Sequence, residues 1–469
     1  MIITDIVKVA TQQFEQKMFE FGKKLNTQQL TAELAEQVSV ALQKSLSDAG
    51  ATAYKAFLES YNPDDNIIEL KGQKLRFKMV SPKTFLSPFG KITVHRSLYQ
   101  ADTGGVSYVP LDDFWDMDGH FATDQVREAI CLSMAHMTAE ETEQLFKKCT
   151  MFQPSATAIK HIVEKVGEEI SQHKEQMDKE ISAKQSVPEG TRVLVASMDG
   201  ANVLLREPGS RQRRPVERPS KQDRADKQAS YKNAMVGSFS FYGDTHQKQD
   251  SPERLGSYYT ARMPEDRAVR FKQNFERQLE FIEAKIADKV PKILLFDGAR
   301  GLWKYAENTE RFNDYEKLID FYHSSEHLSK AGEALFGKGN DKAQAWYDKY
   351  WAKLLEADDG AEAVLRSIDY YSRSERLSKS RRKALGAERR FFQRNKDRMG
   401  YASFRRRGLP IGSGPVEAAC KSIVKTRLCR SGMRWSRSGG QRILDLRCYV
   451  KSGLWNEFWD AYKYVRRSA

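Results

Sequence analysis

Two apolar runs in the sequence lead into the same dipeptide. TRVLVAS is followed by Met198-Asp199-Gly200, and KILLFDG closes on Asp297-Gly298. A carboxylate where a buried strand meets solvent stands where α/β sheets gather ligands, in the crevice at the strands' carboxyl ends. Asp-Gly is also one of the commonest turn dipeptides, so neither Asp identifies a site alone. A third acid, Glu417, lies in IGSGPVEAACK. Ser413 or Gly414 suits a helix cap there and Pro415 the first helical position, so Glu417 falls in the first turn, where the helix dipole favours an ionised carboxylate. An ordinary first-turn glutamate would look the same. In company, two Asp and one Glu offer hard oxygen ligands for a pair of Mg²⁺ ions. Two such ions about 3.5 to 4 Å apart activate the attacking oxygen of a phosphodiester and stabilise the leaving one. The chemistry these acids point to is phosphoryl transfer on nucleic acid.

The elements that must position them fall into two halves. Residues 1–60 have apolar positions at helical spacing (Phe14, Met18, Phe21, Leu25, then Leu30, Leu34, Val38), an assembly or interaction arm. From Ile67 to Tyr99, alternating segments with Pro and Gly between them predict a small antiparallel sheet. The segment from Met137 to Ile170 reads as two helices about a turn at Phe152 to Pro154, with Ser155 as cap of the second. That outline fits a helix-turn-helix presenting Thr157, Lys160 and His161 to a major groove, and equally an ordinary helix pair. A polar stretch ends at a boundary near residue 188. Beyond it, 191–197, 201–206, 231–243, 292–298 and 318–323 read as strands, the last leading into a helix, and 266–288 reads as helix. Between the second and third of these strands, EPGSRQRRPVERPSKQDRADKQ has almost nothing to bury and reads as a mobile loop. Residues 326–400 are patterned as helices whose spaced aromatics, Trp346 to Tyr371, read as core.

Charge is distributed unevenly. Residues 371–469 carry 26 Lys and Arg against 7 Asp and Glu, a net of +19, while the whole chain carries +14. A basic field this local attracts polyanions, because neutralising phosphates releases counterions. Arg405, Arg406 and Arg407 precede Glu417, and Lys421, Lys425, Arg427, Arg430, Arg434 and Arg437 follow it. Lys421 and Lys425 fall four and eight residues after Glu417, on roughly its helical face, within reach of the same phosphates. Trp435, set among arginines, suits stacking on an unpaired base, although such a tryptophan is more often core. Arg211, Arg213, Arg214 and Arg218 extend the basic surface into the loop. Five separated cysteines form no Cys-x-x-Cys pair, which reads as reduced thiols rather than a zinc site. No apolar run approaches the ~20 residues of a membrane span, and the first residues have no signal-peptide pattern. A cytoplasmic, nucleoid-associated location is expected.

The motifs VLVASMDGANVLLR, KILLFDGARGLWKY, LIDFYHSSEHLSKA and LPIGSGPVEAACKSIVKTRLCRSGMRWS, with GGQRILDLRCYVKSGLWNEFW after them, resemble the DDE-type transposases of bacterial insertion sequences, ISKra family. The resemblance runs from about residue 90 to the end. It implies an α/β fold with an RNase H-like catalytic core, Asp199 on its first strand, Asp297 at the end of its fourth and Glu417 on a later helix. It also implies a helical insertion between the second Asp and the Glu, about 338–400. The implied organisation is a helical arm at 1–60, a small sheet and helical region at 61–188, the core at 189–337, the insertion, and at 401–469 the closing helix with basic helices. Asp320-Phe-Tyr-His323 looks like the C/D-x-x-H element of related transposases, with His323 at the scissile phosphate or a water and Asp320 holding the imidazole's tautomer. The stretch after ITVHRSLYQ holds no cysteine, so a zinc-bound N-terminal module is not expected. The resemblance further implies two Mg²⁺ or Mn²⁺ ions, double-stranded DNA as partner (terminal inverted repeats and target) and a dimer or larger assembly on paired ends. Two alternatives use the same residues: an RNase H-like nuclease or junction resolvase without strand transfer, and a non-catalytic DNA-binding descendant.

Overall fold

The computed structural model describes residues 3–25, 31–102, 104–105, 107–150, 152–206, 231–245, 252–374 and 377–468. The arginine-rich loop 207–230 lies outside them, and with it Arg211, Arg213, Arg214 and Arg218. The chain forms two compact units, Met1–Glu180 with Phe458–Ala469, and Ile181–Glu457.

The first unit begins with two long helices, Ile3–Leu25 and Ala32–Glu59, the second capped by the Thr31 side chain accepting from the Leu34 N–H. A three-stranded antiparallel sheet follows: β1 (Ile67–Leu70), β2 (Gln73–Ser87) and β3 (Gly90–Gln100). Lys71 and Gly72 join β1 to β2 with both φ angles positive, the backbone that a two-residue hairpin needs to match the strands' twist. Phe85, Ile92 and Val94 bury one face of this sheet against Leu58, Leu111 and Met117. Helices Asp124–His136, Ala139–Cys149 and Ala156–Gln172 complete the unit. Thr138 and Glu141 form a reciprocal capping box, and Ser155 caps the helix it precedes in sequence. The C-terminal helix Trp455–Ser468 contributes Phe458, Trp459, Tyr462 and Val465 to the same unit's interior.

The second unit is built on a five-stranded mixed sheet, so the chain as a whole is mixed α/β. Its strands are β4 (Val193–Leu204), β5 (Tyr231–Thr245), β6 (Pro252–Arg262), β7 (Lys292–Phe296) and β8 (Glu316–Ile319), in spatial order β6-β5-β4-β7-β8. The first three pair antiparallel, and β7 and β8 add in parallel to β4. Strand β7 (KILLF), flanked by β4 and β8, is buried on both faces, as parallel strands are, and reads as a continuous apolar run. Phe239, Phe271, Phe275, Leu279 and Phe296 belong to the core around this sheet. Helix Val269–Glu283 connects β6 to β7, and helix Arg300–Glu307 connects β7 to β8.

Helix Phe321–Phe336 then leads into Asp341–Glu356, Gly360–Ser374 and Lys379–Asn395, whose aromatics Trp346, Tyr350 and Phe391 are buried. The chain returns through Tyr401–Arg406 to the short helix Gly414–Ala419, which packs beside β4 and β5. That helix widens into a π-helical turn over Cys420–Lys425 before helix Arg437–Lys451. Arg447, 3% exposed, donates to the carbonyls of Ile423 (2.7 Å) and Ser422 in this wide turn. A side chain that satisfies carbonyls in this way sustains a departure from α-helical geometry.

Three strand assignments differ from the sequence expectation. The run 318–323 is strand only to Ile319, because Asp320 caps the helix that begins at Phe321. Asp199-Gly200 is not a strand end: β4 continues unbroken to Leu204, because β5 matches it residue for residue through Asp199↔Val236 and Gly200↔Met235. Strand β6 carried no strand expectation, since Pro252, Glu253, Arg254 and Gly256 break the apolar pattern. It lies at the sheet edge, where Pro and charge are tolerated and discourage further pairing.

Candidate active site

The register between β4 and β7 fixes the geometry of the two aspartates. Ala196 pairs with Leu294, the last paired position, and three residues further along each parallel strand come Asp199 and Asp297. The two carboxylates therefore emerge side by side where β7 has ended and β4 runs on. Burial pushes the Asp297 carboxyl above the ordinary range, and the neighbouring negative charges of Asp199 and Asp320 push it the same way. The Ala299 N–H and the His323 ring oppose them. The carboxylates stand in one another's field with too little positive charge between them.

Glu417 comes to this place on helix Gly414–Ala419. Two residues tie it there. Cys420, one turn on and buried, donates its thiol hydrogen bond to Asp199, and burial together with the Asp199 charge raises the thiol far above its ordinary pKa. Ser413, at the cap position, uses its hydroxyl not on the helix but on the Glu417 carboxylate, at 3.3 Å.

Asp320 takes a different part from the one expected. It is 1% exposed, and one oxygen accepts the His323 backbone N–H at 2.7 Å, capping helix Phe321–Phe336. The other accepts the backbone N–H of Ser413. Its carboxylate thus meets two peptide groups and not the His323 imidazole; it joins the end of β8 to the loop that carries Glu417. Phe321 N–H to Ile411 O, 3.0 Å, reinforces the same junction. His323 is half-buried with its ring against Phe391, and a side chain on Gly298 would come within 3.2 Å of its Nε2, so it adjoins the turn after Asp297.

Each acid is engaged by the protein itself. Asp199 Oδ1 accepts the Gly200 N–H (2.6 Å), Asp297 Oδ1 the Ala299 N–H (2.9 Å), and Glu417 Oε1 the Ser413 hydroxyl. Among the described residues, no three His, Cys, Asp or Glu side chains converge closely enough to hold a metal ion in this arrangement. The donor chemistry nonetheless fits a hard cation. All three acids offer carboxylate oxygens, and the repulsion at Asp297 is what a divalent ion would relieve.

The basic residues divide into several groups. Lys421 and Lys425 are exposed and form no ion pair among the described residues, and Arg434 and Arg437 are exposed as well. Arg405 is half-buried and Arg430 exposed. Arg406 pairs with Asp358 (2.6 Å), and Arg407 makes a two-pronged bond to Glu316 (2.5 and 2.6 Å) over the Phe404 ring. Arg427 is a correction: at 2% exposure, with its guanidinium over the Trp435 ring, it faces the interior and not a phosphate. Trp435 is half-buried, with Nε1 donating to Leu428 O and its backbone bridged to Leu204 and Arg206, which is a packing role. Lys160, in the other unit, is exposed and paired with Glu140 at 2.7 Å.

Sequence reasoning missed three neighbours of the site. Cys420 gave no signal beyond its nearness to Glu417. His327, four residues after His323 and so on the same helix face, packs edge to face with it and stacks on Phe391 at 3.6 Å. Its Nδ1 meets Glu388 Oε2 at 2.5 Å, a contact from a helix 61 positions away that no local pattern announces.

No protein-family profile matches the chain, and no curated protein matches it. Among solved structures, the "Drosophila P element transposase strand transfer complex" aligns over 73% of this chain and 80% of that one, at 12% identity and a TM-score of 0.25.

Proposed function

We propose that this chain is a DDE-type DNA transposase with an RNase H-like core, cutting at the ends of its element and joining the freed 3′-hydroxyls to target DNA. The observation that carries the reading is the β4–β7 register, which brings Asp199 and Asp297 together beyond paired parallel strands, with Glu417 linked to Asp199 through Cys420. The strand order β6-β5-β4-β7-β8, three antiparallel and two parallel, supports the RNase H-like reading, and the three helices Asp341–Glu356, Gly360–Ser374 and Lys379–Asn395 support the expected insertion at about 338–400.

Asp199, Asp297 and Glu417 would hold two Mg²⁺ or Mn²⁺ ions, which supply activation of the attacking oxygen and charge stabilisation of the leaving one. The protein's own part is placement. The strands fix both aspartates, Ser413 and Asp320 fix the Glu417 loop, and His323, beside the turn after Asp297, is placed to hydrogen-bond a phosphate oxygen or a water. Lys421 and Lys425 supply exposed positive charge one and two turns beyond Glu417, where phosphate contacts would position a duplex without reading its sequence. Function on paired ends implies a dimer or larger assembly.

The test is strand joining. Purified protein is incubated with Mg²⁺, a plasmid carrying the gene with its flanking DNA, and a target plasmid. Joined products that vanish in Asp199→Asn, Asp297→Asn and Glu417→Gln, while DNA binding stays near wild type, are the expected result. Hydrolysis without joining would make it a nuclease, and binding with no cleavage by wild type would remove the catalytic role.

A further inference from the structure

A second cluster of charge lies near Asp297, drawn partly from the helix that follows it and partly from the basic segment 371–469. Arg300, Gly301, Trp303, Lys304, Glu307, Arg394, Asn395 and Arg398 line a cavity of about 540 Å³ between helix Arg300–Glu307 and the end of helix Lys379–Asn395. Four cationic side chains face one carboxylate. Glu307 is taken by Arg398, which also lies over the Trp303 ring (4.6 Å) and bonds Asn395 Oδ1 (3.2 Å). That leaves Arg300, Lys304 and Arg394 with no carboxylate partner among the described residues. Arg394 and Arg300 are close enough to repel: burial and then the Arg300 charge depress the Arg394 guanidinium. Like charges held together around an open cavity are stabilised by an anion that enters between them.

The cavity also adjoins the turn that carries Asp297. Arg300 follows Asp297 by three residues, and the indole N–H of Trp303 donates to the Asp297 carbonyl at 2.7 Å. One wall thus belongs to the turn that carries Asp297 and the other to the helix whose Phe391 packs on His323.

We propose that Arg300, Lys304 and Arg394 form a phosphate-binding cavity that grips the backbone of a DNA strand next to the phosphodiester presented to Asp297. It rests on the nucleic-acid reading above and names the residues that hold the strand entering the site. The occupant is a phosphodiester in a strand and not a free nucleotide: the Trp303 face that a base would stack on is already covered by Arg398. Guanidinium pairs suit phosphate because their N–H groups meet two oxygens at once.

The test measures binding of a fluorescent single strand and a fluorescent duplex by the full chain, as a function of salt, for wild type, Arg300→Gln, Arg394→Gln, the double variant and Lys342→Gln. Lys342 is exposed and outside the cavity, so its variant removes one charge without touching it. The double variant is expected to bind roughly tenfold more weakly, and each lost phosphate contact to lower the slope of log K against log salt by about 0.7 to 0.9. Lys342→Gln is expected to keep the wild-type slope, and melting temperatures to stay level because neither arginine has an ion pair to lose. Double-variant affinity and slope equal to wild type, or equal to those of Lys342→Gln, would overturn the cavity while leaving Mg²⁺-dependent joining intact. Displacement of the strand by millimolar adenosine triphosphate from wild type but not from the double variant would assign the cavity to nucleotides and overturn the strand. Absence of DNA binding by wild type would overturn this assignment together with the functional reading.

Discussion

Replacing Asp320 with alanine tests whether this carboxylate is a catalytic partner of His323 or the knot that holds Glu417 in place. In the folded chain it accepts two backbone N–H groups, one at the head of helix Phe321–Phe336 and one at Ser413. Loss of a helix cap costs about 0.5 to 2 kcal/mol. Ser413 is 4% exposed, so its abandoned N–H adds roughly 1 to 3 kcal/mol more. Together the substitution should destabilise the junction by about 1.5 to 5 kcal/mol. Peptide-level hydrogen exchange reads the effect locally: peptides covering 320–324 and 411–420 should exchange roughly tenfold to a few thousandfold faster, with 193–199 little changed. Asp320→Asn keeps one accepting oxygen and should lose about half as much free energy. Strand cleavage should fall in both variants in step with the exchange rate, since the damage reaches Glu417 through Ser413. Exchange within twofold of wild type, accompanied by lost activity, would refute the structural role and restore Asp320 to the His323 ring.

Other outcomes follow from the same geometry. Because the Asp297 carboxyl is held above its usual range, the folded state favours its protonated form: this group's contribution to stability is fully present below its unfolded pKa and is lost as pH rises through the folded pKa. Asp297→Asn should therefore raise the urea midpoint of metal-free protein at pH 7 by an amount that shrinks on acidification; a lowered midpoint at pH 7 would contradict this. Gly298→Ala places a methyl 2.6 Å from Phe391 Cε2, an overpacking that costs about 1 to 3 kcal/mol, and thermal unfolding indistinguishable from wild type would show that the contact yields freely. In the first unit, burial alone would raise the Glu169 carboxyl, but hydrogen bonds from His120 and Tyr462 and the charges of His120 and Arg466 pull it down to about 2. Its contribution, about 3 kcal/mol, is fully present above pH 4.5 and disappears as pH falls toward 2. Glu169→Gln should be destabilised at pH 7 and lose little further on acidification, measured by circular dichroism across that range.

What the sequence made legible was the part written in local patterns. β7 announced itself because a doubly buried parallel strand must be apolar throughout, and the Ser155 position because capping chemistry needs a short oxygen-bearing side chain at one place. Asp199 and Asp297 could be singled out from their strands, yet the reason they meet is a register three residues short of each, which no single-strand pattern contains. The failures have physical causes as well. Gly200 looked like a turn because a dipeptide cannot reveal that a partner strand continues past it. β6 was invisible because an edge strand is free to carry Pro, charge and Gly. Arg427 looked like its exposed neighbours, and only the packed indole beneath its guanidinium separates a buried cation from a phosphate contact. Cys420, Glu388 and the Arg300–Arg394 pair gain their significance from partners distant along the chain.

The C-terminal helix closes the first unit. Trp459 and Tyr462 are buried in it, and Arg466 bonds Asp116 at 2.8 Å and reaches Glu169 and His120. During translation, the segment that supplies those side chains emerges after the whole of the second unit. Residues 1–180 must therefore wait on the ribosome with an open apolar seam and a Glu169 that still lacks Tyr462 and Arg466, so the half made first is the half finished last. Premature termination anywhere before Phe458 would leave that seam exposed to chaperones and proteases, and the cell would clear such fragments before they could compete with intact protein.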